Sequence, residues 1–293
     1  MLHITDIQAR LSQFPEPIEV TKIRESIYEG FKKLEFVDEG HKYFLHKDDG
    51  TTIEMDSVTN VCQRYEKPTD WETICHTKAA KLGVKPDKLK REWREKNIKS
   101  TSNGSLTHLF AEAYMWFYMG KPENMPAIIA DMQYEDGFLI PYGKKQEAIA
   151  GFYEALSKVP EFFPVMPEAR IYIAGGENPY GIEENIAGTF DALFAFKGKN
   201  GQWQLSIFDW KTNASLENEY ARKYGKVLLA PFDDMIEEPL SIYSLQLSLY
   251  SLGVAQLGYA IVDRKLVWLT DDGEFHKIRV EDIGTKLISA LGK

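Results

Sequence analysis

Cysteine is nearly missing from the chain: Cys62 and Cys75 are the only two in 293 residues. They are too few and too far apart for a zinc or iron–sulfur site or a disulfide framework, so both are expected to be reduced and structural. No run of about 18 apolar residues is present that could cross a bilayer. The opening MLHITDIQAR is polar and unlike a signal peptide. A cytoplasmic protein without membrane contact is the expectation. Internal repeats and low-complexity segments are absent as well. Positive charge is scarce, with 35 Lys and Arg against 44 Asp and Glu and a net charge of −9. A polyanionic partner can therefore be met only through a local patch.

What is present is enough for one domain with elaborations: 44% of residues are hydrophobic and 13% aromatic, which supports a sizeable core. The scarce positive charge is also concentrated. Residues 78 to 99, KAAKLGVKPDKLKREWREKNIK, carry nine lysines and arginines against three acids. A solvated helical face accounts for such a run in most proteins. Trp93 within it, and Trp71 shortly before, also allow stacking on unpaired bases. Lys88, Arg91, Arg94 and Trp93 are the candidate nucleic-acid contacts.

The stretch GTFDALFAFKGKNGQWQLSIFDWKTN, residues 188 to 213, reads as a hairpin. Two runs rich in aromatic and branched residues flank Lys199-Asn200-Gly201, which fits a three-residue loop with glycine in the left-handed position. Gly198 then faces Gln202, and counting back along the ladder brings Asp191 opposite Asp209. Lys211 shares that face, and Leu193 opposite Ile207 and Ala195 opposite Leu205 continue it as an apolar floor. A two-residue loop would put the acids on opposite faces. Adjacent carboxylates repel, so their charge must be neutralised. A salt bridge from Lys211 with solvent is one answer. A hard divalent cation such as magnesium, which keeps waters and leaves room for a phosphate, is the other. Beside it a lysine can polarise the attacking water or balance charge on phosphoryl oxygens, which is the chemistry of phosphodiester hydrolysis.

Elsewhere, residues 1 to 30 look helical with a break at Phe14-Pro15-Glu16-Pro17, and LEFVDEGHKYFLHKDDGTTIEM alternates around the turn Asp48-Asp49-Gly50. Ser57 caps a short helix through Tyr65. The basic block forms one or two helices, followed by the separate amphipathic segment STSNGSLTHLFAEAYMWFYMG. A helix is expected over 144 to 158 and a strand over 169 to 174. After a polar stretch from 214 to 239 come the helix LSIYSLQLSLYSLGVAQLG, two or three short strands and a terminal helix. His108 and Glu112 share one helical face, as do Gln246 and Tyr250. Taken singly, these pairs fit core packing as well as chemistry.

In order along the chain, Gly104-Ser105-x-x-His108, Glu168, Gly188-Thr189-Phe190-Asp191, Asp209-Trp210-Lys211 and Gln246-x-x-x-Tyr250 resemble the PD-(D/E)XK nuclease superfamily in its RecB-like exonuclease branch. The resemblance covers roughly residues 100 to 255. Upstream, HKYFLHKDDGTTIEMDSVTNVCQRY is similar to the strand, turn and helix start preceding the core in phage-type exonucleases and the mitochondrial genome maintenance exonuclease. Phe190 stands where the superfamily name has proline, and Ser105 where threonine is common; neither change removes a ligand.

The resemblance implies an α/β fold of restriction-endonuclease-like form, a mixed central sheet flanked by helices. Residues 1–99 would be a hairpin and helical extension, and 100–293 the nuclease core. It implies metal ligation by His108, Asp191, Asp209 and the Trp210 carbonyl, with Lys211 positioning the water and Glu168 as an outer acid. Gln246 and Tyr250 would hold the lysine or a DNA phosphate. The expected cofactor is Mg2+, with Mn2+ able to substitute, and no iron–sulfur cluster, since the four cysteines of the relatives that carry one are absent. The expected activity is that of a deoxyribonuclease, foremost an exonuclease of phage or mobile-element type, acting on single- or double-stranded DNA ends in recombination or end processing. A recombination partner protein follows by analogy alone. An endonuclease on the same scaffold and a non-cleaving DNA-binding module are the alternatives.

Overall fold

The computed structural model describes residues 1–292. Two amphipathic helices, α1 (Ile4–Gln13) and α2 (Ile18–Phe31), are separated where Pro15 and Pro17 end helical geometry. Three strands follow: β1 (Leu34–Val37), β2 (Lys42–His46) and β3 (Thr52–Ser57). Ser57 Oγ accepts a hydrogen bond from the Asn60 amide at 3.0 Å and so caps α3 (Val58–Gln63). Then come α4 (Trp71–Leu82), α5 (Pro86–Tyr118), α6 (Ala127–Gln133), the small pair β4 (Tyr134–Glu135) and β5 (Phe138–Leu139), and α7 (Lys144–Leu156). Three long strands form the middle of the sheet: β6 (Phe162–Ile173), β7 (Ile186–Lys197) and β8 (Trp203–Lys211). The chain closes with α8 (Glu219–Tyr224), α9 (Pro239–Ala255), β9 (Ile261–Leu269), β10 (Phe275–Arg279) and α10 (Gly284–Leu291). None of the described helices is long and apolar enough to cross a membrane.

The main sheet runs β1-β2-β3-β7-β8-β9-β10, with β6 also paired to β7. The β3–β7 and β8–β9 pairs are parallel and the others antiparallel, so the sheet is mixed. One face is covered by α2, α3, α9 and α10, whose apolar residues pack on Phe190, Leu193 and Ile207. The other is covered by α1, α5 and α7, which pack on Phe194, Phe208 and Trp210. The architecture is therefore α/β, a mixed central sheet between two helical layers.

The β7–β8 hairpin has the register that its loop requires. Leu193 pairs with Ile207 and Ala195 with Leu205, the Gly198 amide donates to the Gln202 carbonyl at 2.9 Å, and Gly201 has φ +75°. The ladder ends at Ala192 opposite Phe208, one step short of Asp191 and Asp209.

A fork in the sheet positions these acids. Along one edge β7 pairs with β6. On its other edge β3 takes Ile186 and Ala187, and β8 begins only at Ala192. Residues 188–191 face the gap between β3 and β8. Ile186 and Phe190 point into the core under α9, and so do Leu193 and Ala195, so the in–out alternation slips by one residue at Asp191. Opposite the slip, Glu168 has φ +45°, a left-handed conformation unusual for a residue with a side chain.

Gly188 makes a close approach possible at the fork. A Cβ there would stand 2.7 Å from the Tyr250 ring and 3.0 Å from Val58. Gly188→Ala is expected to cost about 1–3 kcal/mol by overpacking, measured as a lowered urea midpoint.

The histidine segment is not a separate helix. α5 is continuous for 33 residues, about 50 Å, from inside the basic block to Tyr118 and straight through residue 99. The run Ser100-Thr101-Ser102-Asn103-Gly104 reads as a break by propensity, but the neighbouring hydroxyls are satisfied within the helix. Ser105 Oγ donates to the Thr101 carbonyl at 3.2 Å and Thr107 Oγ1 to that of Asn103 at 2.8 Å.

Candidate active site

A cleft of about 630 Å³ opens at the fork, lined by residues of the β1–β2 hairpin, α3, α5, β6, β7 and α9. His108 enters it from α5, Glu168 from β6 and Asp191 from β7, with ligand atoms all within 4.8 Å of one another. His108 Nδ1 lies 3.0 Å from Asp191 Oδ1, and the Trp210 amide donates to Asp191 Oδ2 at 2.6 Å. The carboxylate thus tops the β7–β8 ladder and fixes the spacing of the two strands.

Asp209 and Lys211 stand one strand further on. Lys211 Nζ is 2.5 Å from Asp209 Oδ2, an ion pair without the alignment of a hydrogen bond. The same ammonium lies 3.9 Å from the ring centroid of Tyr243 on α9, whose hydroxyl donates to Asn213 Oδ1 at 2.9 Å. The chain just past Lys211 is tied down by Lys145 Nζ, which donates to the Thr212 carbonyl at 2.6 Å. Tyr250 lines the cleft and packs its ring 5.7 Å from that of Phe190, while Gln246 is buried one helical turn earlier.

These groups perturb one another strongly. Burial pulls His108 down, but the charge and hydrogen bond of Asp191 outweigh it and hold the imidazole up at about 9. Burial pushes Glu168 well above the usual carboxylate range, and the negative charge of Asp191 adds to this. Burial raises Asp209 and Lys211 lowers it; with Asp191 reinforcing burial, Asp209 reaches about 6. For Lys211 burial is outweighed by Asp209, which holds the amine above its ordinary value and charged.

Two cations meet three acids at one point: His108 faces Asp191 and Lys211 faces Asp209, which leaves Glu168 as the acid with no cationic partner. Glu168 accepts no hydrogen bond among the described residues. A histidine and two carboxylates that converge within 4.8 Å, one with no donor of its own, form a donor set that fits a divalent cation. Such a cation would displace the proton from the histidine and let Glu168 ionise.

A thermal-shift titration checks this fit independently of activity. Mn2+ or Mg2+ at a hundred times its dissociation constant should add about 2.7 kcal/mol of stability, a rise of several degrees in Tm. No shift is expected for Asp191→Asn at the same concentration.

The structure brings together His108, Glu168, Asp191, Asp209, Lys211 and Tyr250. The tight triad has Glu168 where the sequence pattern put Asp209, and Asp209 is turned to Lys211. Sequence reasoning missed Tyr243 and Arg170. Tyr243 precedes Gln246 by three residues on the same helical face, which is a usable signal. Arg170 has none beyond its position two residues after Glu168.

The basic candidates lie elsewhere. Arg94, Arg91 and Lys88 precede His108 on α5 by 14, 17 and 20 residues, roughly 21 to 30 Å along the axis. All three are exposed. Trp93 packs against the small core of Cys75, Ala79 and Leu89 between α4 and α5, with Lys78 Nζ 5.5 Å from its ring centroid. Both cysteines are buried and free, and burial pushes the Cys62 thiol upward.

No family model matches this chain, and no curated protein matches it. Among solved structures, a protein from Eubacterium rectale bearing the name "Putative exonuclease" aligns with a TM-score of 0.36 at 13% identity. The alignment takes in 62% of this chain and 63% of that one, so the chain spans less than two thirds of that protein.

Proposed function

We propose that this protein is a metal-dependent deoxyribonuclease, in the first place an exonuclease. The observation that supports this most is the convergence of His108, Glu168 and Asp191 in one open cleft, with the Asp209–Lys211 ion pair buried alongside. A divalent cation, Mg2+ or Mn2+, held by His108, Glu168 and Asp191 would neutralise phosphate charge and acidify water. The protein's own groups do the positioning. Lys211 stays charged next to Asp209 and between the acids and Tyr243, where it orients a water for in-line attack and balances charge on the phosphoryl oxygens. Asp209 fixes the lysine and offers a further acceptor beside the three residues that would hold the cation. Gln246 and Tyr250 back this pair from α9, with the Tyr250 hydroxyl end reaching a bound phosphate. In this reading residues 100–293 supply the chemistry, and residues 1–99 supply substrate contacts.

The direct test is a time course with end-labelled linear DNA and a covalently closed circular control, with magnesium and with EDTA. Magnesium-dependent loss of linear DNA alone is the expected result. Opening of the circle would make the enzyme an endonuclease. Binding without cleavage of any substrate would leave a DNA-binding module.

The exposed cations of α5 are assigned to the DNA backbone. Charge reversal at Lys88, Arg91 and Arg94 should weaken DNA binding and flatten its salt dependence by about 0.7–0.9 in log–log slope for each phosphate that is no longer neutralised. The metal-induced thermal shift should be unaltered. An unchanged salt slope would return the block to a solvated face.

A further inference from the structure

A second part of the cleft wall is mainly aromatic, with Asp38 its one acid. It is built by the β1–β2 hairpin, whose turn carries Gly40 at φ +81° and His41 at φ +52°. The turn sets the His41 ring 4.8 Å from that of Phe36, and Phe36 lies 4.9 Å from Tyr43. Tyr43 is anchored from below, its hydroxyl 3.1 Å from Thr189 Oγ1 on β7. Arg170 on β6 places its guanidinium 5.7 Å from the Phe36 ring centroid. Arg170 is exposed and forms no ion pair with any described residue, although the cleft beside it is crowded with carboxylates. Phe36, His41 and Arg170 all line the same space as His108, Glu168 and Asp191.

A guanidinium without an ion pair, next to the exposed His41 ring and the half-buried Phe36 ring within one cleft of about 630 Å³, suits a ligand that is both anionic and aromatic. The space falls in the usual range for a small-molecule site. A paired base inside a duplex offers no free face to such a wall, whereas an unpaired base does.

We infer that Phe36, His41 and Arg170 form a subsite for one unpaired nucleotide next to the scissile phosphate, so that the strand enters the cleft single-stranded. The rings take the base, and Arg170 takes the phosphate on the side away from the acids. This inference rests on the nuclease reading and narrows its substrate to single-stranded or frayed ends.

The test uses a short single-stranded oligonucleotide with 2-aminopurine at its end, titrated with the full chain in calcium so that binding is read apart from cleavage. Wild type should quench the fluorescence by stacking. Phe36→Leu keeps the apolar surface but has no ring; it should bind about tenfold more weakly, the size expected for removing one base–aromatic stack, and should not quench. Phe36→Trp should restore both. Arg170→Gln should lower the salt slope of binding by about one, and neither substitution should alter binding of a blunt duplex. The proposal is overturned if Phe36→Leu binds and quenches like wild type, or if wild type itself does not quench. A parallel digestion in magnesium separates the two readings: cleavage by wild type with an unchanged Phe36→Leu variant removes the subsite and leaves the nuclease, while absence of both binding and cleavage removes both.

Discussion

Asp191→Asn is expected to reduce cleavage of linear DNA by at least about a thousandfold, because it removes the carboxylate charge on which the site converges. Several kcal/mol of charge stabilisation is what a bound cation contributes to a phosphoryl transition state, and each 1.36 kcal/mol is tenfold in rate. The fold should survive. An asparagine oxygen can still accept from the Trp210 amide, now 2.6 Å from Asp191 Oδ2. His108 loses the charge that holds it up at about 9. Single-turnover rates in magnesium, with urea midpoints in EDTA for both proteins, measure the two effects separately. Residual activity within tenfold of wild type would remove Asp191 from the metal-binding set.

Part of the site can be reached from sequence alone. The acids of the hairpin are legible because Lys199-Asn200-Gly201 dictates one loop length, and loop length dictates register. The histidine helix is legible as a helix, but its join to the basic block is not, since Ser, Asn and Gly are poor helix formers and α5 nonetheless runs through them. β6 is legible only over its last residues. Pro164 and Pro167 argue against a strand, yet the ladder with β7 extends from Phe162 to Ile173, interrupted by a shift between Pro164 and Met166. The same irregular segment carries Glu168 in its left-handed conformation. No periodicity announces such a residue, because its role depends on strands that meet from distant parts of the chain. Arg170 and the Phe36–His41 wall are hidden for the same reason: the hairpin of residues 34–46 reaches the acids through the parallel pairing of β3 with Ile186 and Ala187 and through the contacts of Tyr43 with Thr189 and Phe36 with Arg170.

Lys211→Ala should lower the single-turnover rate by about a hundredfold to a thousandfold, the range seen when one positioned charge-stabilising donor is removed from an active site. DNA binding in calcium should stay within a few-fold of wild type. The lysine is enclosed by Asp209 at 2.5 Å and by the Tyr243 ring at 3.9 Å, so its position is set by packing before substrate arrives. Its removal leaves Asp209 buried without its cation. Asp209, already raised by burial, is then pushed further up and takes a proton, which limits the structural damage. Arginine is a poor replacement, because the planar guanidinium needs more room than a point charge flanked by a ring and a carboxylate. A Lys211→Arg protein that folds but cuts as slowly as Lys211→Ala would therefore support a positioned ammonium. If Lys211→Ala kept a rate within tenfold of wild type, the lysine's task would be structural, namely to hold Asp209 ionised, and water activation would have to be assigned to another group in the cleft.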